Sequence, residues 1–190
     1  MADLPTREFR SLAAWQRWLS THHGDSSGLW MKIAKKGAAV TSVSYDEALE
    51  VALCHGWIDG QKRALDDRYW LQKFTPRSAR SVWSKINRDK ATALIEAGKM
   101  QPSGLREVER AKQDGRWDAA YDAQSTATVP DDLQRALAKS RRARLFFEGL
   151  DSRNRYAILY RIQDAKKAET RARRIAKFVA MLEANEKIYP

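Results

Sequence analysis

Residues 77–85 read Arg-Ser-Ala-Arg-Ser-Val-Trp-Ser-Lys. Arg77, Arg80 and Lys85 supply cations, and Ser78, Ser81 and Ser84 supply hydroxyl donors, which is the chemistry of an anion site. Such a site needs a frame that gathers the donors. A helix starting at Ser81 would provide one, because its first N–H groups have no partners inside the helix and its dipole makes that end partly positive. Ser81 is then the N-cap of a helix running to Ala97, with Gly98 just beyond it. Trp57 and Trp83 would wall the site, and Asp59 and Lys62 would add polar contacts from a preceding hairpin. The plainer reading puts both Trp in the core, makes Ser81 only a cap and leaves both Arg solvated. Helix N-termini are common and ligand sites are few per protein, which favours the plainer reading.

The remaining reactive residues point to less. Cys54 and His55 are neighbours at the end of a helical pattern, where adjacent side chains diverge, so they do not form a nucleophile–base pair. Cys54 reads as a small buried apolar residue. His22 and His23 fall at a helix end, where imidazolium suits the dipole. A single cysteine excludes an intramolecular disulfide and a cysteine-based zinc site. No catalytic motif, cofactor signature or metal-ligand spacing is present, so an enzyme is the lesser expectation, and neither a cofactor nor a metal is called for.

The elements that would position these residues follow from periodicity. Leu12, Trp15 and Leu19 predict a helix over 11–22. Alternation predicts a strand over 29–35, with Leu29, Met31 and Ile33 on one face and Trp30, Lys32 and Ala34 on the other. Ser44-Tyr45-Asp46-Glu47 is a capping box opening a helix that Gly56 ends. Residues 57–65 and 69–75 form a hairpin around Asp66-Asp67-Arg68, and Pro76 stops it. In the helix after it, Trp83, Ile86, Ala93, Leu94 and Ala97 are the expected buried side. A further helix starts at Pro102, with Leu105, Val108 and Ala111 inward. The fold class is therefore α+β: a small antiparallel sheet of about three strands covered by helices over 1–121, a linker over 122–129 and an all-helical part over 130–190.

Charge is uneven. Residues 130–190 carry 15 Lys and Arg against 8 Asp and Glu, and so hold most of the chain's net +11. That balance favours anionic partners: nucleic acid, an anionic surface or a small anion. Arg171, Arg173, Arg174 and Lys177 on the last helix are the candidate nucleic-acid contacts, together with the 77–85 segment. The first residues lack the apolar core of a signal peptide, and no run approaches the roughly 20 apolar residues of a membrane span, so the expected location is cytoplasmic.

The segments CHGWIDGQKRALDD, TPRSARSVWSKIN, GRWDAAY, VPDDLQRAL and AKKAETRARRIAKFVAMLEANEKIYP together resemble the YdeI/OmpD-associated family, the bacteriocin-protection proteins. The resemblance runs from about Phe9 to the C-terminus, and the family's characteristic module falls on 130–190. It implies a non-enzymatic bacterial binding protein concerned with bacteriocin or stress tolerance, and carries over no catalytic residue. The alternatives are a nucleic-acid-binding protein and a small anionic-ligand protein or enzyme.

Overall fold

The structure is a computed structural model that describes residues 4–190. It divides into two compact units, one running to Trp83 and including Asn87–Ala120, the other made of Ser84–Ile86 and Tyr121–Pro190.

In the first unit the elements are β1 (Thr6–Glu8), α1 (Leu12–His22), β2 (Leu29–Ala34), α2 (Tyr45–Cys54), β3 (Trp57–Ala64), β4 (Tyr69–Pro76), α3 (Lys85–Glu96, of which Asn87 onward belongs here) and α4 (Pro102–Gln113). The α+β class holds, but the sheet is mixed and has four strands in the order β1-β2-β4-β3. The three expected strands pair antiparallel, and β1 joins the edge in parallel with β2. Three exposed residues, Thr-Arg-Glu, carry no alternating pattern, which is why β1 escapes a reading based on periodicity.

Local chemistry accounts for the boundaries. The Ser11 hydroxyl accepts from Ala14 N–H to open α1. At α2 both arms of the capping box form: Glu47 N–H donates to Ser44 Oγ, and Ser44 N–H donates to the Glu47 carboxylate at 3.0 Å. The hairpin turn closes on Asp66, whose carboxylate accepts from the N–H groups of Arg68 and Tyr69, each at 2.8 Å. A bulge between Asp59 and Lys62 is held by Gln72, whose amide donates to Gly60 O.

One face of the sheet, with Leu29, Met31, Ile33, Trp57 and Phe74, packs on Trp15 and Leu19 of α1 and on Ala48, Val51 and Ala52 of α2. The other side of α2, with Leu49, Leu53 and Cys54, packs with Trp83, Ala91, Leu94, Val108 and Ala111 in a separate cluster.

Two expectations need correction here. The helix after the hairpin begins at Lys85, four residues later than Ser81. The carbonyls that would start it earlier are taken by guanidinium groups: Arg116 Nη1 donates to Ser81 O at 2.6 Å and Arg77 Nη1 to Val82 O at 3.2 Å. Lys85 N–H donates instead to Tyr121 O. Because Trp83 lies outside the helix, it does not set the helix phase. The buried positions are Asn87, Ala91 and Leu94, and Ile86 is 48% exposed. In α4, likewise, Gly104 takes the inner place expected of Leu105, because the helix backbone lies directly on the end of α2.

The second unit holds α5 (Asp131–Ala138), α6 (Arg141–Glu148), α7 (Ser152–Gln163) and α8 (Ala168–Glu183), with no strand among its elements. Leu133, Leu137, Phe147, Ile158, Ile162, Ile175, Phe178 and Leu182 form its core. Ser140 and Asp151 cap α6 and α7 through their side-chain oxygens.

Candidate binding surface on the sheet

Several of the residues expected to gather an anion are engaged in other contacts. Arg77 is buried at 6% exposure, with its guanidinium 3.4 Å from the centre of the Trp83 ring. Ser78, Arg80 and Ser81 share a tight turn in which Ser78 N–H donates to Ser81 Oγ at 2.9 Å and Arg80 N–H to Ser78 Oγ at 3.2 Å. Ser84 and Lys85 belong to the other unit, where Lys85 Nζ meets Asp122 at 2.5 Å. Trp57 and Trp83 are enclosed in different apolar clusters. Asp59 accepts from the Tyr45 hydroxyl at 2.8 Å, and Lys62 lies over the Trp70 ring.

On α8, Arg171 forms a two-pronged pair with Asp132 at 2.5 and 2.9 Å and donates to Ile162 O. Its hydrogen bonds hold the Asp132 carboxyl below the usual carboxylate range. Arg174 is engaged by Arg161 O and Asp164. Arg173 and Lys177 are exposed.

Around Cys54 there is a groove of about 520 Å³ lined in part by Arg17, Glu50, His55 and Lys99. The thiol is buried, and burial, with Glu50 nearby, pushes its pKa up, the opposite of an activated nucleophile. The His55 ring sits 5.4 Å from that of His23. Burial and then the neighbouring imidazole push its pKa down. The folded chain thus takes up this proton less readily than the unfolded chain, so stability falls as pH drops below about 6.5 and levels once His55 is protonated in both states. Urea unfolding between pH 8 and pH 5 should show that decline, and His55→Gln should flatten it. An equal decline in the variant would assign the effect elsewhere.

On the far face of the sheet cations and aromatic rings meet repeatedly. Register places Trp30, Lys32, Arg63, Tyr69, Leu71 and Lys73 on that face. Trp30, Tyr69 and Leu71 belong to none of the three apolar clusters, yet all are buried. Cationic side chains supply cover. The Arg63 guanidinium lies 4.2 Å from the centre of Trp30, Lys32 Nζ is 5.6 Å from that of Tyr69, and Arg68 is 5.9 Å from the same ring. At the adjacent edge Lys62 sits 4.2 Å from the centre of Trp70. Among the described residues Lys32, Lys62, Arg63 and Lys73 form no ion pair. The acids nearby are occupied or few: Glu8 stands opposite Lys32 and meets Arg10 at 3.7 Å, and Asp66 is committed to the turn. The arrangement can exchange cation–ring contacts for cation–phosphate contacts and free a flat ring surface.

Residues 7–107 match the model of a family described as Domain of unknown function (DUF8412), which is more than half of the chain. The chain belongs to that family. Residues 126–185 match the model described as Bacteriocin-protection, YdeI or OmpD-Associated, and are a domain of that kind. The YdeI/OmpD-associated resemblance seen in the sequence is therefore shown for the C-terminal part, while the stretch from Phe9 through the sheet falls under the DUF8412 model. Neither a curated protein nor a solved structure matches the chain. The DUF8412 match contains Trp30, Lys32, Arg63, Tyr69 and Lys73, so the cationic face lies wholly within it. Sequence reasoning assigned Trp30 and Lys32 to one face of a strand but gave that face no role. The usable signal is that Lys32, Arg63 and Lys73 share a side once the strands are paired, and pairing is not written in any single strand. No helix among the described residues is long and apolar enough to cross a membrane, and no group of three potential metal ligands occurs among them.

Proposed function

We propose that this is a binding protein whose DUF8412 sheet takes single-stranded nucleic acid on its cationic face. The observation that carries the reading is the Arg63–Trp30 stack, with Lys32 and Lys73 on the same face and none of the three in an ion pair. Phosphates draw lysine and arginine by charge, and a guanidinium plane over an indole occupies the place a planar base would take. A strand face of this kind reads the backbone and stacks bases without groove recognition, which suits single strands better than duplex. The YdeI/OmpD-associated domain supports a setting in bacteriocin or stress tolerance, with the sheet supplying the contact to an anionic polymer. Arg171 and Arg174 are less suited to phosphate contact, since each is already held by a carboxylate.

Fluorescence anisotropy with short labelled oligo(dT) and oligo(U) tests the reading. Binding is expected at low salt and should weaken steeply as salt rises. The Lys32→Ala/Arg63→Ala/Lys73→Ala variant should lose at least about tenfold in affinity near 0.1 M salt, and its salt slope should fall by about 2, at roughly 0.7 per lost phosphate contact on a single strand. Arg173→Ala/Lys177→Ala should change it little. Absence of binding at low salt, or a loss confined to the second variant, would overturn the proposal. Equal affinity for heparin and for oligo(U) would leave a polyanion surface and remove the stacking role.

A further inference from the structure

In the second unit a small cavity of about 200 Å³ opens on one stripe of α7, and it is independent of the sheet surface. Arg153, Tyr156, Tyr160 and Arg161 line it from the helix, Gln124 from the segment before α5 and Tyr189 from the segment after α8. These positions are spaced by three, four, seven and eight residues, so a single helical face presents them together.

Tyr189 is fixed in place by an asparagine. Asn154 is buried at 2% exposure, its amide donates to Tyr189 O at 3.1 Å, and its carbonyl oxygen accepts from Tyr189 N–H at 2.9 Å. Asp151 orients that asparagine through a 2.8 Å bond. The phenol is thereby set between two guanidinium groups. Arg153 lies 4.2 Å from the ring centre, and Arg161 Nη2 donates to the hydroxyl at 3.4 Å while its Nη1 donates to Ala157 O.

Charge and hydrogen-bond capacity in the cavity are lopsided. Its lining has two cations and no carboxylate. The nearest acids are committed elsewhere: Asp122 to Lys85 and Gln163, Asp164 to Arg174, and Asp151 to Asn154. Tyr156 spends its hydroxyl on Asp122 O, whereas the hydroxyl of Tyr160 and the amide of Gln124 make no hydrogen bond within the described chain. Two guanidinium groups, a phenol and an amide are donors of the kind that close around an oxyanion. The volume is below the roughly 300–1,000 Å³ of pockets that enclose whole organic ligands, so only a compact group fits inside.

We propose that Arg153, Arg161 and the hydroxyls of Tyr160 and Tyr189 form a site for a phosphate-sized oxyanion, either free phosphate or the phosphate of a monoester whose remainder stays outside. Arg161 already depresses the Tyr189 phenol's pKa, through its hydrogen bond first and its charge second. A bound dianion would oppose that and raise it, which gives the site a spectroscopic signature separate from affinity.

Calorimetry of the full chain with inorganic phosphate, and in separate arms with phosphoserine and glycerol phosphate, is the test. Phosphate heat is expected from the native protein, with at least a tenfold affinity loss in Arg153→Gln and in Arg161→Gln. Arg155→Gln, whose guanidinium stacks on Phe147 instead, should bind as the native chain does. Tyr160→Phe removes one donor at a position outside the core cluster, and it should weaken binding even if an arginine variant fails to fold. The ultraviolet phenolate titration that Tyr189→Phe removes should move to higher pH when phosphate is added. A stronger response to the monoesters would assign the natural ligand to that source, and equal responses would assign it to free phosphate. No binding heat in any arm, or equal losses in Arg155→Gln and Arg153→Gln, would overturn the proposal.

Discussion

Trp83→Ala is expected to cost the first unit about 3–5 kcal/mol of stability, the range for deleting a fully buried aromatic ring. Trp83 is 1% exposed, meets Trp117 edge-on at 4.9 Å between ring centres, and carries the buried Arg77 guanidinium on its face. Deleting the indole opens a cavity against Leu49, Leu53, Leu94 and Val108 and leaves a cation beside it in place of a ring. Against a typical total of about 5–15 kcal/mol, a loss of this size brings partial unfolding within reach at moderate temperature. Trp83→Phe should behave very differently. The indole N–H is buried without a hydrogen-bond partner, so phenylalanine relieves an unpaired donor, worth about 1–3 kcal/mol, while losing part of the ring volume. Urea unfolding followed by circular dichroism should therefore place the Phe variant near the native chain and the Ala variant far below it. A loss under about 1 kcal/mol for Ala would mean the ring is not enclosed as described.

Gly104→Val is expected to destabilise the same unit by more than about 3 kcal/mol, beyond the usual overpacking cost of 1–3 kcal/mol. A Cβ on Gly104 would stand 2.2 Å from Cys54 O and 2.8 Å from Cys54 C and from Leu53 O. These are backbone atoms at the end of α2, so no side chain can swing aside and the two helices must part. Alanine would gain about 1 kcal/mol of helix propensity over glycine, yet it meets the same carbonyl, so Gly104→Ala should also be destabilising. Gly56, at φ +76° and with Ser103 O 2.9 Å from where a Cβ would be, is the matching requirement on the other side of that contact. Thermal unfolding of Gly104→Ala, Gly104→Val and the native chain should rank them in reverse order of side-chain size. A stabilised Ala variant would refute the close helix approach.

Much of the fold can be read from the chain because it is written locally. The capping box at Ser44–Glu47 acts over three residues, the Asp66 turn over three, and the α1 stripe of Trp15 and Leu19 over one helical turn. The hairpin, the helical character of 130–190 and the α+β class follow from signals of that range. What escaped depended on residues distant in sequence. The start of α3 was decided by Arg116, 35 positions beyond the Ser81 carbonyl it takes, against a local pattern that favoured an earlier start. The inward place of Gly104 was decided by a backbone contact with α2 that no apolar periodicity records.

The same division separates the two candidate surfaces. By itself the sequence determined that this is a strongly basic chain with abundant Trp, one cysteine and paired Arg and Ser around residue 80. It could not say which cations are spent. Tertiary structure buried Arg77 against Trp83, committed Arg171 and Arg174 to Asp132 and Asp164, and left Lys32, Arg63 and Lys73 together on one sheet face, none of them in an ion pair among the described residues. The physical reason is that the charge of a lysine or arginine is set by its type, whereas the strength of its call on an anion depends on desolvation and on partners within a few ångströms. Those partners come from other strands and helices, and only the folded chain assembles them.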